Sequence, residues 1–177
     1  MRAPKSVDVS INLPFGLGGV KGTWEPDESE RAAAWEMYVE LITRISVAEL
    51  RQEEGLLREA LTSLYSLFAT TRAILRDKGP SVAVAKGDGD YSFGYLAVII
   101  LNRVLRPVLA KWHPLLLDYE SRRRSPVSQA QHERAWPQNA EMRGVLDDVR
   151  ATLSDYADLL AEVAGVPRLP TDTGAPR

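Results

Sequence analysis

The side chains that could do chemistry are few and scattered. The chain has two histidines and no cysteine. Thiolate nucleophiles, thiolate metal sites and disulfides are therefore excluded. Neither His113 nor His132 has a second histidine at helical spacing with an acid beside it, the arrangement that zinc hydrolases use. Trp112-His113-Pro114 reads instead as a ring packed into a bend, its imidazole hydrogen-bonded to a neighbour, and His132-Glu133 reads as exposed loop. No nucleophile-elbow pattern accompanies either one. The acid pairs Asp147-Asp148 and Glu53-Glu54 fall on polar helix faces, where solvation accounts for them. Asp88-Gly-Asp90 lacks the ligand series of a calcium loop and reads as a turn.

The stretch Gly16-Leu-Gly-Gly-Val-Lys-Gly-Thr23 lies between a strand pattern and a helix pattern, where backbone amides can cradle a phosphate. A P-loop needs Lys-Ser/Thr directly after its last glycine, and the dinucleotide fingerprint needs a glycine where Lys21 stands. Pro26 and the acids after it would also repel an anion. The stretch reads as a mobile connection or a partner-contacting arm. The basic residues are more suggestive. Arg103 and Arg106 are one turn apart, and Lys111 and the arginines 122–124 come after them. Arg103, Arg106 and Lys111 could line a groove for an anionic small ligand, with Tyr91, Tyr95 or Trp112 stacking on the rest of it. The plainer account is internal pairing with the acidic first helices, which carry Glu28, Glu30, Glu36, Glu40, Glu49, Glu53, Glu54 and Glu59.

Helices must position these groups. Met142, Leu146, Val149, Leu153, Tyr156, Leu160 and Val163 recur at three- and four-residue spacing, as do Leu57, Leu61, Leu64, Phe68, Thr71 and Leu75. Each stripe needs another helix to bury it. The spacing predicts helices over about 47–77 and 138–164, the first stopped by Lys78-Gly79-Pro80 and the second by Gly165 and Pro167. Another helix, nearer the N-terminus, starts at Asp27, with Glu30 at the capping-box position, a face of Trp35, Tyr38, Leu41, Ile42 and Ile45, and a break near 45–47. A third helical stretch, 92–121, contains Pro107 and Pro114 and should kink or divide. Residues 122–137 read as a long loop with room for one helical turn. Val7-Asp-Val-Ser-Ile-Asn-Leu13 alternates strictly, as a half-buried strand does. Such a strand needs a partner, and 81–85, 20–24 or another chain would serve.

The fold expected is all-α: an antiparallel bundle of four to five helices, with a proline-kinked third helix and a short N-terminal β-strand or arm, paired with 81–85 in a small two-stranded sheet as one option. Residues 1–26 would form the strand and glycine-rich arm, 27–165 the helical domain and 166–177 a disordered tail. A chain of 177 residues suits one domain and can bury a real core. A net charge of −2 gives no global field to recruit nucleic acid or an anionic membrane. The most apolar run, 95–101, is soon followed by Arg103, Arg106 and Lys111, short of the roughly 20 residues a membrane span needs. No secretory signal is visible, which points to the cytoplasm. The four tryptophans read as core-edge anchors with their indole N–H groups satisfied.

The function expected is that of a non-enzymatic helical adaptor or accessory protein, acting through a protein partner or a second copy of itself, with no cofactor or metal. Val9, Ile11, Phe15 and Trp24 of the N-terminal arm are its candidate contacts, by shape complementarity or strand addition. The alternative is a small-ligand or nucleotide-binding regulator built on Arg103, Arg106 and Lys111. An enzyme is the third reading, and no coherent set of acid, base and electrophile supports it.

Overall fold

Alternation of apolar with polar residues builds strand β1 (Val7–Asn12), in which every second residue is buried. The computed structural model describes residues 4–44 and 54–169. Among these, the molecule is mostly helical, with one small two-stranded antiparallel sheet. The partner of β1 is β2 (Gly19–Trp24), with Val7 opposite Trp24 and Ile11 opposite Val20. The optional pairing with 81–85 does not form. Pro80–Ala83 is a 3-10 turn instead, because Pro80 suits a first helical position and has no N–H for a strand ladder. The glycine-rich stretch is thus partly hairpin loop and partly strand. Leu13 N donates to Gly18 O at 2.9 Å. Gly22 lets the loop after the 3-10 turn lie against β2, since a Cβ there would meet Tyr91 Cε2 at 2.5 Å. Asp90 N and Tyr91 N donate to Thr23 O, and Asp90 Oδ2 accepts from Thr23 N at 3.0 Å.

Helix α1 (Glu28–Ile42) begins with the expected capping box between Asp27 and Glu30. Its inner face is Ala33, Ala34, Met37, Tyr38 and Leu41, and that phase leaves Trp35 42% exposed instead of inside. Ile45, the break expected beside it and the expected start of the second helix lie outside the described residues. Helix α2 (Leu57–Lys78) has no side-chain cap of its own. Glu133 supplies one from a distance, its Oε1 accepting from Leu57 N at 2.8 Å. Gly79 ends α2, its N–H donating to Leu75 O.

Helix α3 (Phe93–Ile99), a π-helical turn (Ile100–Leu105) and helix α4 (Arg106–Ser121) succeed one another without interruption over Phe93–Ser121. Pro107 cannot donate to the carbonyl four residues back and crowds it, and the wider turn sits directly before it. Pro114 lies inside α4, which runs on through it, so the histidine beside it occupies a helix and not a bend. This helix is long and apolar enough to cross a membrane by length and composition, yet 61% of its most apolar window is buried inside the protein. Helix α5 (Gln129–Arg134) stands in the region expected as a loop with one helical turn, with Ser128 and Gln131 forming its capping box. Helix α6 (Asn139–Ala164) buries its whole predicted stripe and packs on α1 and β1.

Glu30 joins these parts. It is fully buried, and its Oε1 accepts from Trp24 Nε1 and from Phe93 N, both at 3.1 Å. Its Oε2 accepts from Asp27 N at 3.2 Å and pairs with Lys86 Nζ at 2.9 Å. Glu30→Ala would leave buried donors on the hairpin and on α3 unpaired. We expect it to lower unfolding free energy by about 3–5 kcal/mol in urea titrations.

Burial raises the Glu133 carboxyl above its usual 4.5, against the opposing pull of the Leu57 and Arg58 amides and Arg143. A raised carboxyl holds its proton more tightly folded than unfolded. Its stabilising effect is therefore present below 4.5 and is lost as pH rises through the folded value. Glu133→Gln keeps an acceptor for Leu57 N. Its urea midpoint should fall less than the wild type's as pH is raised above 4.5.

Candidate functional site

Helices α2 and α4 run antiparallel, as the order of their contacts shows. Arg58 meets Glu120, Tyr65 meets His113, and Arg106 lies over Phe68. Between them opens a surface cleft of about 570 Å3. Its walls come from Tyr65, Phe68 and Arg72 on α2, and from Arg106, Leu109, Ala110 and His113 on α4. Phe68, Leu109 and Ala110 make an apolar floor. Tyr65 is 62% exposed and stands edge-on to His113, with ring centroids 5.9 Å apart.

Two guanidinium groups flank that floor from opposite helices. Arg72 Nε donates to Phe68 O at 2.9 Å. Arg106 donates to Asn102 Oδ1 at 3.1 and 2.9 Å, and its guanidinium carbon lies 5.3 Å from the Phe68 ring centroid. Among the described residues, neither arginine pairs with a carboxylate.

At the other end of the cleft, Arg58 grips Glu120 through Nε and Nη2, at 2.7–3.2 Å. Its Nη1 is 2.8 Å from His113 Nδ1. A guanidinium only donates, so Nδ1 accepts and the imidazole proton belongs on Nε2. That Nε2 is buried without a partner. Burial lowers the His113 pKa below 6.5, the Arg58 charge lowers it further, and Glu120 opposes. His113 is thus a neutral wall of the cleft.

The groove expected from Arg103, Arg106 and Lys111 does not form as such. Of the three, Arg106 alone lines the cleft. Lys111 pairs with Glu141 at 3.1 Å and lies 4.3 Å from the Trp112 ring centroid. Arg103 is exposed in the π turn, off the cleft. The expected stacking partners are engaged elsewhere: Trp112 is buried, and Tyr91 packs on Tyr95 with centroids 5.6 Å apart. Helix α2 does lie against the third stretch, but the ion pair between them has the reverse polarity, with Arg58 of α2 on Glu120 of α4.

Of the arm residues, Val9, Ile11 and Trp24 are buried at 2%, 1% and 0% exposure and belong to the core, so their side chains are not free for a partner. Phe15 is exposed beside Leu17 at the hairpin tip, with a positive φ of 61°. His132 is half-buried rather than in open loop, donating to Tyr119 O at 2.8 Å through Nε2 and stacked on the Tyr119 ring. Asp8, Asp155, Asp158 and Glu162 surround a second, polar hollow, where Arg168 neutralises Asp158 at 2.9 Å. No group of three or more His, Cys, Asp or Glu is placed to hold a metal ion among the described residues.

Sequence reasoning missed Tyr65, Phe68 and Arg72 as site residues. Their signal was present in part, since Phe68 belongs to the α2 stripe and Arg72 lies one turn beyond it. Only the antiparallel register with α4 brings it opposite Arg106.

The His113 arrangement sets a direct expectation. Nitrogen-detected NMR should show the Nε2–H tautomer and a pKa below 6.5, and Arg58→Met should raise that pKa. Because the folded value is depressed, stability present above 6.5 is lost as pH falls through it. His113→Gln should remove that part of the acid sensitivity. The chain matches no family model, no curated protein and no solved structure.

Proposed function

We propose that the protein is a non-enzymatic helical adaptor that binds a segment of a protein partner in the cleft between α2 and α4. The observation that carries this reading is the cleft itself: an apolar floor of Phe68, Leu109 and Ala110, open along the seam of two antiparallel helices. Such a seam suits the face of an amphipathic segment, which brings apolar side chains at helical spacing. The ionisable groups at its far end serve structure. Arg58, Glu120 and His113 bind one another, which supports recognition over catalysis. The same reading takes the helices as an antiparallel bundle bent ahead of Pro107. The reversed order of α2–α4 contacts and the π turn support it.

A small anionic ligand is the second reading, favoured by Arg72 and Arg106 facing each other across Phe68. A small ligand is usually buried over most of its surface, and an open trough suits a longer occupant better.

Ala110→Trp tests the proposal. Ala110 is exposed, so the indole fills the cleft without disturbing the core. Panning the full chain against random peptides long enough for about three helical turns should yield binders that lose at least about tenfold in affinity on the Ala110→Trp variant. Its thermal melting should match the wild type's. If binders are indifferent to Ala110→Trp, the cleft is not the recognition surface. A dimer in light scattering that Ala110→Trp dissociates would make the partner a second copy of the chain.

A further inference from the structure

We infer that the segment this cleft takes is acidic: an amphipathic stretch with a carboxylate about one helical turn from a large apolar side chain. The inference rests on the cleft being the recognition surface and adds the chemistry of its partner.

The argument is one of charge. Many of the molecule's cations sit on carboxylates: Lys78 on Glu36, Lys86 on Glu30, Lys111 on Glu141, Arg168 on Asp158 and, at the far end of the cleft, Arg58 on Glu120. Beside the apolar floor they do not. Among the described residues, no carboxylate pairs with Arg72 or Arg106, the two arginines that line the cleft. A chain of net charge −2 thus holds two uncompensated guanidinium groups beside one apolar trough.

Both groups are also held in place. Arg72 is anchored through Nε alone, which leaves both Nη groups as donors. Arg106 is anchored through Nε and Nη2, which leaves Nη1. Fixed donors lose little freedom when an anion arrives, so a carboxylate between them gains charge-assisted hydrogen bonds at low entropic cost. Phe68, Leu109 and the small side chain of Ala110 give the neighbouring apolar group its seat. A basic segment would meet only like charge, and a neutral one would leave the guanidinium groups without compensation.

Fluorescence anisotropy on the full chain tests this. The probe is a labelled peptide of about three helical turns, with leucine and phenylalanine on one face and glutamate flanking it. Its counterpart carries lysine in place of glutamate. The glutamate peptide should bind at least about tenfold more tightly, and added salt should weaken it. Arg72→Glu with Arg106→Glu should reverse the preference, and Arg72→Gln with Arg106→Gln should abolish it. Arg122→Glu, at the C-cap of α4 and about four turns from Arg106, should leave it unchanged. The inference is overturned if the two peptides bind equally, or if the preference survives the double reversal. It is also overturned if benzoate or oligothymidine displaces the peptide at comparable concentration, which would make the occupant a small anion or a nucleic acid. Panned binders that depend on Ala110 but are neutral or basic would sink the acidic partner and leave the cleft standing. The absence of any Ala110-dependent binder would remove the cleft itself.

Discussion

One buried carboxylate holds the molecule's separate parts in register. Glu30 accepts from the indole of the hairpin, from the amide that opens α3 and from the amide before α1, and it pairs with Lys86 of the intervening loop. A two-stranded hairpin is marginal alone in water, so β1 and β2 persist by being tied down. Trp24 is held by Glu30, Thr23 by Asp90, and Asn12 O by Thr152 Oγ1 of α6 at 3.0 Å. A buried charge is retained at such a point only when every lone pair is used, and here donors from four segments use them. The position of α3, and through it α4, is set by this junction.

A second junction sets the cleft. Helix α5 is only six residues long, too short to be stable by itself. It is held because Glu133 caps α2 and because Trp136, just after it, packs edge-on against Trp112 with centroids 5.8 Å apart. The same end of α2 carries Arg58, which fixes α4 through Glu120 and His113. The register of α2 against α4 is thus determined at one end, and the cleft at mid-length inherits it.

Much of the fold was legible from sequence where local chemistry decides. The α6 stripe is uninterrupted and contains no proline, so its phase alone named seven buried residues. The capping box of α1 and the glycine stops of α2 and α6 are equally local. The partner of β1 was not legible, because 20–24 and 81–85 both offered a plausible pattern. The choice turned on Pro80 and on the close approach that Gly22 permits, which is tertiary. Val9, Ile11 and Trp24 show a different error. The alternation that identified the strand already placed Val9 and Ile11 on a buried face, which left them no surface to offer. The cleft was legible only in halves, since periodicity says which face of a helix is buried but not which helix lies beside it.

The displacement of the expected basic groove has a backbone cause. Arg103 and Arg106 are three residues apart, which on a regular α-helix puts them on one face. The π turn over Ile100–Leu105 intervenes, and inserting one residue into a turn rotates the downstream helix by about 100°. Arg103 lies inside that turn and Arg106 is the first residue after it, so the two part company. Pro107 makes the wider turn favourable, because a tight α turn would crowd its ring against the Arg103 carbonyl. Arg106 therefore faces Phe68 and Arg72 because of the proline next to it in the chain. The charge of the cleft is set by a constraint on the main chain, not by the composition of the helix that carries it.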